Sequence, residues 1–416
     1  SYPESITIRS YNPVQKGHPG QIKRAAELLA TAKKPLFYIG GGIHISNAVE
    51  AFRKLQKKTG VPVVSSLMGI GGIQSDHPGF LGMLGMHGTY VANMAVTESD
   101  LLFGIGTRFD DRATGDLAHF APNAKIIHID IDPASISRNV TVEVPIVGDA
   151  RSVIEDLIPQ CKQSAIEPWI SQIDGWKKDH PVMPAKNESM LSSGNPGSGK
   201  LSPVTVIQTI NEVYPDAIIA TEVGQNQMWA ALFFNYKNPR QLITSGGLGT
   251  MGFGFPAAIG AKLANPDKVV IDIAGDGSIQ MNIQELATAA QENLPVIIAI
   301  LNNGYLGMVR QWQELFFNKR YSGTCLRRKP ECPFGCSTPG EKCMAYIPDF
   351  VKLAEAYDAV GIRVTKPEEI KPALLQAGQS KQRPVIIDFI IEEEANVWPM
   401  VPAGAAINNM LLGGGK

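Results

Sequence analysis

The chain has 416 residues, 44% hydrophobic and 19% charged, with 38 Lys and Arg against 39 Asp and Glu for a net charge of −1. That length leads us to expect two or three domains, and the even balance carries no basic excess for nucleic acid and no charge run for a membrane surface. No apolar stretch reaches the roughly 18 residues of a membrane helix, and five cysteines do not make a secreted disulfide scaffold of a chain this long.

The N-terminal SYPESITIRSYNP lacks the basic start and apolar core of a signal peptide and reads as a linker entering a domain. Gly20–Thr31 is an amphipathic helix, and Leu36–Ile39 is a strand ending in three glycines. Ala48–Thr59 is a helix and Val61–Ser65 a strand, followed by glycine-rich loops at 68–72 and 82–88. Tyr90–Thr97 is helical, and Leu101–Ile105 and Lys125–Ile131 are strands. Strands alternating with helices predict a doubly wound parallel sheet, an α/β architecture that binds nucleotides at the carboxyl ends of its strands. Asp130 and Asp149 at strand ends suit ribose hydroxyls, and the N–H groups of a helix opening after Met86, His87 and Gly88 suit a phosphate. The run GGGIHIS is not the GxGxxG fingerprint and carries little by itself.

Ile166–Pro203 shows little periodicity beyond a helix at Trp169–Trp176, and its SSGNPGSGK run reads as an exposed connection. The expected organisation is therefore a first domain over 1–160, a linker over 161–203 and a second domain over 204–416.

In the second domain Val204–Val213 is a helix, Ala217–Thr221 a strand and Gln241–Thr244 another. Ser245–Ala261 is a glycine-rich loop running into a helix, which can bring backbone amides close to a diphosphate. Val269 to Met308 then reads as strand, loop, helix, strand and loop. Val269–Ala274 is a buried strand broken by Gly275-Asp276-Gly277-Ser278. Asn282 can cap a helix with Glu285 three residues on, and Ile283, Leu286, Ala287 and Ala290 share a face. Val296–Leu301 is the second strand, ended by Asn302-Asn303-Gly304. Parallel strands put both ends on one edge, so Asp276 and Asn303 can converge. A carboxylate, an amide oxygen and a backbone carbonyl are the hard oxygens that Mg²⁺ takes when it also holds a diphosphate.

GDG followed after a gap by NN resembles the signature of thiamine diphosphate enzymes. That resemblance implies Asp276, Asn303 and the backbone of Tyr305 as metal ligands. His87–Arg108, Asp130–Asp149 and the RFDDR run at 108–112 look like the FAD-binding central domain of acetohydroxyacid synthase, also called acetolactate synthase. The glycine loop before GDG matches the same family. The resemblance implies a first domain that binds FAD through His87, Gly88, Arg108, Asp130 and Asp149. It implies a second that binds thiamine diphosphate through Gln225, Gln227, Gly249, Gly275, Gly277, Ser278, Gly304 and Tyr305. Met251 would prop the cofactor in its bent shape, a proximity effect. Trp312, with Arg112, would contact substrate.

The activity so implied joins two 2-ketoacids: pyruvate is decarboxylated, and its hydroxyethyl unit passes to pyruvate or 2-ketobutyrate, the first common step toward branched-chain amino acids. A homodimer or homotetramer and a small regulatory subunit are implied partners. The cytoplasm of a bacterium or archaeon, or a plastid or mitochondrial matrix, is the implied location. Alternatives are a pyruvate oxidase-like flavoenzyme and a non-catalytic cofactor-binding paralogue.

Two departures stand out. The resemblance covers only the last two of the family's three modules, so no residue matches the glutamate of the N-terminal module, and Glu222 lies in the diphosphate-side module; residues 1–416 by themselves are therefore expected to bind the cofactors weakly and to make no acetolactate. The second is Cys325–Cys343, an insertion with Cys325, Cys332, Cys336 and Cys343 spaced C-x6-C-x3-C-x6-C. Only Cys332 and Cys336 have the short spacing usual for zinc, so a disordered or disulfide-clipped loop is expected before a metal site.

Overall fold

The computed structural model describes residues 3, 8–9, 12–181, 200–327 and 347–413. They form two compact units, one drawn from residues up to 73, 77–181 and 401–410, the other from 74–76, 200–400 and 411–413.

The first unit holds β1 (Pro35–Ile39), β2 (Val63–Ser65), β3 (Phe80–Met83), β4 (Leu101–Ile105), β5 (Lys125–Asp130) and β6 (Val144–Val147). Their order is β3-β2-β1-β4-β5-β6, every pair parallel. The run PLFYI of β1 is buried throughout because helices cover both faces of such a sheet. Helix Pro19–Thr31 starts with proline in its first turn, where a missing N–H costs nothing. Helix Val49–Thr59 ends at Gly60, left-handed with φ 73°. β3 and β6 are not evident in the sequence pattern: β3 runs into the glycine loop, and β6 is an edge strand holding Pro145, which only an edge tolerates.

The described first part of the expected linker, residues 161–181, carries a helix packed into the first unit, and the SSGNPGSGK run lies, but for Lys200, outside the described residues. Helix Glu167–Asp179 buries Trp169 and Ile173 in the first unit's core, and the indole N–H of Trp169 donates to the Pro35 carbonyl at 3.1 Å. The first unit therefore extends past residue 160, and residues 401–410 return to it from the end of the chain. Trp169→Phe should cost about 1–3 kcal/mol through a small cavity and an orphaned carbonyl. Denaturant unfolding of the first unit checks this, and an unchanged midpoint would leave the helix merely resting on the core.

The second unit holds β7 (Ile218–Thr221), β8 (Leu242–Ile243), β9 (Val270–Gly275), β10 (Ile297–Asn302), β11 (Val360–Val364) and β12 (Val385–Ile390). Their order is β11-β12-β10-β9-β7-β8, again all parallel. The chain runs outward from β7 to β8 on one side and from β9 through β10 on the other, so the strand order reverses between β7 and β9. A doubly wound sheet opens its ligand crevice at that switch point, beyond the carboxyl ends of the strands.

The expected cap at Asn282 does not form. A 3₁₀ turn occupies Ile279–Asn282, and the helix spans Glu285–Gln291 without a side-chain cap. The Asn282 amide instead donates to the Gly252 carbonyl at 2.6 Å. Of the expected face Leu286 is buried and Ile283 and Ala290 are half-buried, whereas Ala287 is exposed and Ala289 is buried in its place. Cys332, Cys336 and Cys343 lie outside the described residues.

Candidate active site

Asp276 follows the end of β9 and Asn303 the end of β10, neighbouring strands in register Leu301 to Gly275. The two loops are bonded to each other. Asp276 Oδ2 accepts the Gly304 N–H at 2.7 Å, and Oδ1 accepts that of Gly277 at 3.0 Å. Asn303 Oδ1 accepts the Tyr305 N–H at 3.0 Å, which draws its amide oxygen in beside that residue's backbone. Asp276 is fully buried, and burial pushes its carboxyl up to about 7 against the pull of the Gly304 and Gly277 N–H groups. A cation bound beside it would hold such an acid ionised. Among the described residues no three or more His, Cys, Asp or Glu cluster for a metal. A cation here would take one carboxylate and neutral oxygens, a set that suits Mg²⁺ sharing a diphosphate.

The rest of the wall is backbone and amide. Ser278 Oγ closes the 275–278 turn, accepting from Gly275 N at 3.1 Å and donating to its carbonyl at 3.2 Å. A Cβ on Gly277 would stand 2.6 Å from Leu306 and 3.9 Å from the methyl of Met251, so Met251 lies against the GDG turn. Gln225, buried at the start of helix Gln225–Phe233, accepts from the Asn303 amide at 3.4 Å and donates to Gln311 and the Ala395 carbonyl, both at 2.9 Å. Gln227 is spent on structure, donating to Thr244 Oγ1 at 2.7 Å. Gly249 lies exposed in the glycine-rich loop. Trp312 is half-buried on helix Gly307–Phe316 with its ring 5.5 Å from that of Phe316.

Several residues here have bonding partners that the sequence does not signal. Gln311 bonds both the N–H and the carbonyl of Val397, at 2.8 and 3.0 Å, and buried Arg310 donates to the Ala395 carbonyl at 3.0 Å. The segment 395–397 is thereby laced to the helix that carries Trp312. Asn302 donates to Asp388 at 2.9 Å, which also accepts from Arg363 at 3.2 Å, a support behind the Asn303 turn. A lone polar residue in a helix or strand gives no sign of such partners.

In the first unit the expected residues line the carboxyl edge of the sheet. At its switch point, between β1 and β4, a Cβ on Gly40 would meet the Gly106 carbonyl at 2.3 Å, so two loops touch through backbone alone. Arg108 pairs with Asp110 at 2.8 Å, and a cleft of about 280 Å³ is lined by Arg108, Asp110, Asp111, Ser135, Arg138 and Asn139. Asp130, at the end of β5, accepts from the Asp132 N–H at 2.9 Å. Asp149 caps helix Ala150–Leu157 through the Ser152 N–H at 3.1 Å. Asn93 clamps both backbone groups of Gly85, and the Met86 N–H reaches the Arg112 carbonyl at 2.8 Å. That bond brings His87 and Gly88 beside Arg112, whose exposed side chain pairs with Asp111 at 2.9 Å. His87 on the β3 side and Asp149 after β6 are separated by five strand spacings, roughly 24 Å.

Two family models match. Residues 22–157 match the thiamine pyrophosphate enzyme central domain, and residues 222–389 match the thiamine pyrophosphate enzyme C-terminal TPP binding domain. The chain is 45% identical to the acetolactate synthase large subunit of Haemophilus influenzae, over 99% of this chain and 68% of that protein. It is 48% identical to the acetolactate synthase large subunit of Corynebacterium glutamicum, over 97% of this chain and 62% of that protein. The chain belongs to the acetolactate synthase large-subunit family. To the isozyme 3 large subunit of Escherichia coli the identity is 43%, over 99% of this chain and 68% of that protein. The chain thus spans about two thirds of the length of the acetolactate synthase relatives it matches. No helix among the described residues is long and apolar enough to cross a membrane.

Proposed function

We propose that this chain is the cofactor-holding part of an acetolactate synthase, which decarboxylates pyruvate and transfers its two-carbon hydroxyethyl unit to pyruvate or 2-ketobutyrate. The observation that carries the reading is the Asp276–Asn303 pair at neighbouring strand ends beside the switch point, with Met251 against the same turn. When bound, thiamine diphosphate supplies the electron sink that lets carbon dioxide leave a 2-ketoacid. Asp276, Asn303 and the Tyr305 carbonyl would hold Mg²⁺. Gln225, Gly275, Gly277, Ser278 and Gly304 would border the diphosphate, with Gln227 and Gly249 at the margin. Met251 would support the bent cofactor. FAD would be structural, since the net reaction is not a redox change. It would lie along the row from His87 and Gly88 through Arg108 and Asp130 to Asp149, a span that suits an extended dinucleotide. Asp149 would contribute its backbone surroundings, its carboxylate being engaged as a cap. A homodimer or homotetramer and a small regulatory subunit are the assembly we expect.

The test is incubation of the purified protein with pyruvate, Mg²⁺, thiamine diphosphate and FAD. Acetolactate is the product expected of the complete protein. Acetate with peroxide would make it a pyruvate oxidase-like flavoenzyme, and cofactor binding without product would make it a non-catalytic paralogue.

Trp312 and Arg112 are the expected substrate contacts. Trp312→Leu should shift the choice of second substrate away from 2-ketobutyrate by about tenfold, since one methylene in a pocket is worth ~1–3 kcal/mol. Competition between the two ketoacids measures it, and an unaltered product ratio would place Trp312 outside the pocket.

A further inference from the structure

The loop that carries Met251 is anchored by a side chain given no role above. Glu222, fully buried just past β7, accepts the Gly252 N–H on Oε2 at 2.6 Å and the Phe255 N–H on Oε1 at 3.1 Å. Phe255 lies in the first turn of helix Gly254–Ala264, so an anion at Glu222 also meets the positive end of that helix. The other side of residue 252 is tied as well, its carbonyl accepting from Asn282 at 2.6 Å. Gly252 is left-handed, with φ 88°, and a Cβ there would stand 2.7 Å from Met281 and 2.9 Å from the Asn282 amide. The residue following Met251 is thus held from both faces in a conformation that few others adopt.

Asp272 lies one strand over, paired with Ala220 in the β7–β9 register, and it is fully buried. Neither of its carboxylate oxygens has a hydrogen-bond partner. Burial pushes both acids up. The rise of Glu222 is opposed by the N–H groups of Phe255, Gly252, Gly254 and Phe253, whereas the charge of Glu222 adds to the rise of Asp272. Asp272 therefore keeps the proton and leaves the Glu222 carboxylate ionised for the loop.

We infer that Glu222 is a positioning residue that fixes the Met251 loop over the diphosphate side of the site, with Asp272 beneath it as a neutral carboxylic acid. The inference rests on the thiamine diphosphate reading for what the loop serves, but the anchoring stands on hydrogen bonds alone. Glu222→Gln keeps one acceptor and turns its new amide N–H₂ toward one of the two backbone donors, which releases the loop. Asp272→Asn replaces a neutral acid with a neutral isostere and leaves the loop in place. Asn282→Ala cuts the tie on the opposite face of Gly252 and serves should Glu222→Gln fail to fold.

The experiment labels methionine methyl groups with ¹³C and identifies the Met251 signal by its loss in Met251→Leu. Without cofactor, that signal should shift or broaden in Glu222→Gln and in Asn282→Ala and stay in place in Asp272→Asn. With Mg²⁺ present, thiamine diphosphate should bind Glu222→Gln about tenfold or more weakly than the parent, and Asp272→Asn within about twofold. Infrared spectra should show a protonated carboxyl band that persists in Glu222→Gln and vanishes in Asp272→Asn. An unmoved Met251 signal in the folded Glu222 or Asn282 variant would overturn the inference whatever the affinities. A displaced signal in a chain whose parent form fails to bind thiamine diphosphate would uphold the anchoring and remove the cofactor reading instead.

Discussion

Asp276→Ala abolishes Mg²⁺-dependent binding of thiamine diphosphate in our account. Asp276 supplies a carboxylate at the crossing of the 276 and 303 turns, beside the Asn303 amide oxygen and the Tyr305 backbone. A hard cation bridging a diphosphate has no substitute for that carboxylate. The substitution also orphans the Gly277 and Gly304 N–H groups that Asp276 accepts. Each such loss costs about 1–3 kcal/mol and loosens the turn that must meet the cofactor. We expect affinity to fall by about 100-fold or more, roughly 2.8 kcal/mol, in calorimetry with Mg²⁺. Asp276→Asn keeps one oxygen and should fall between the parent and Asp276→Ala. Unchanged affinity in both variants would remove the metal assignment.

Gly254→Ala should lower the melting temperature of the second unit sharply. A Cβ there would stand 2.3 Å from Asp272 Oδ1 and 2.5 Å from both Glu222 N and the Thr221 carbonyl carbon. Two of those three are backbone atoms at the end of a central strand, which cannot move without breaking the ladder. Overpacking of this kind costs about 3 kcal/mol, which lowers the melting temperature by about 6–12 °C in a unit of this size. Gly260 on the same helix is the control, because a Cβ added there meets nothing within 4 Å. Gly260→Ala should stabilise slightly, by about 0.5–1 kcal/mol, as a helix-interior glycine replaced by alanine does. A drop of similar size in both variants would mean that the close approach at Gly254 does not govern the loss, since helix propensity alone would raise stability in both.

The parts legible in the sequence are those in which local pattern and tertiary role agree. β9 and β10 are short apolar runs stopped by glycine and asparagine, so the residue pattern alone places their ends, and with them Asp276 and Asn303. β3 and β6 are not legible, since FLGM runs into a glycine loop and VPIV carries a proline that suits only an edge. Helix Glu167–Asp179 is legible at Trp169–Trp176, but its place in the first unit is not, because its burial depends on Pro35, far away in the chain. The return of residues 401–410 to the first unit is long-range in the same sense. Asn282 shows local and tertiary demands in conflict. Its spacing from Glu285 fits a capping box, yet its amide goes to the Gly252 carbonyl across the turn. Glu222 is silent for a related reason: a single acid just past a strand end reads as a turn residue until its donors are seen, and Asp272, inside β9, gives no sign in the sequence that its carboxylate lacks partners.

The most direct test of the central claim is a crystal structure of the protein with thiamine diphosphate and Mn²⁺ in place of Mg²⁺, using the anomalous signal of the metal. Mn²⁺ accepts the same octahedral oxygen set. The account predicts one anomalous peak at the crossing of the 276 and 303 turns, bonded to Asp276, the Asn303 amide oxygen, the Tyr305 carbonyl and the diphosphate. A bound cofactor whose metal peak lies away from Asp276 and Asn303 would contradict it.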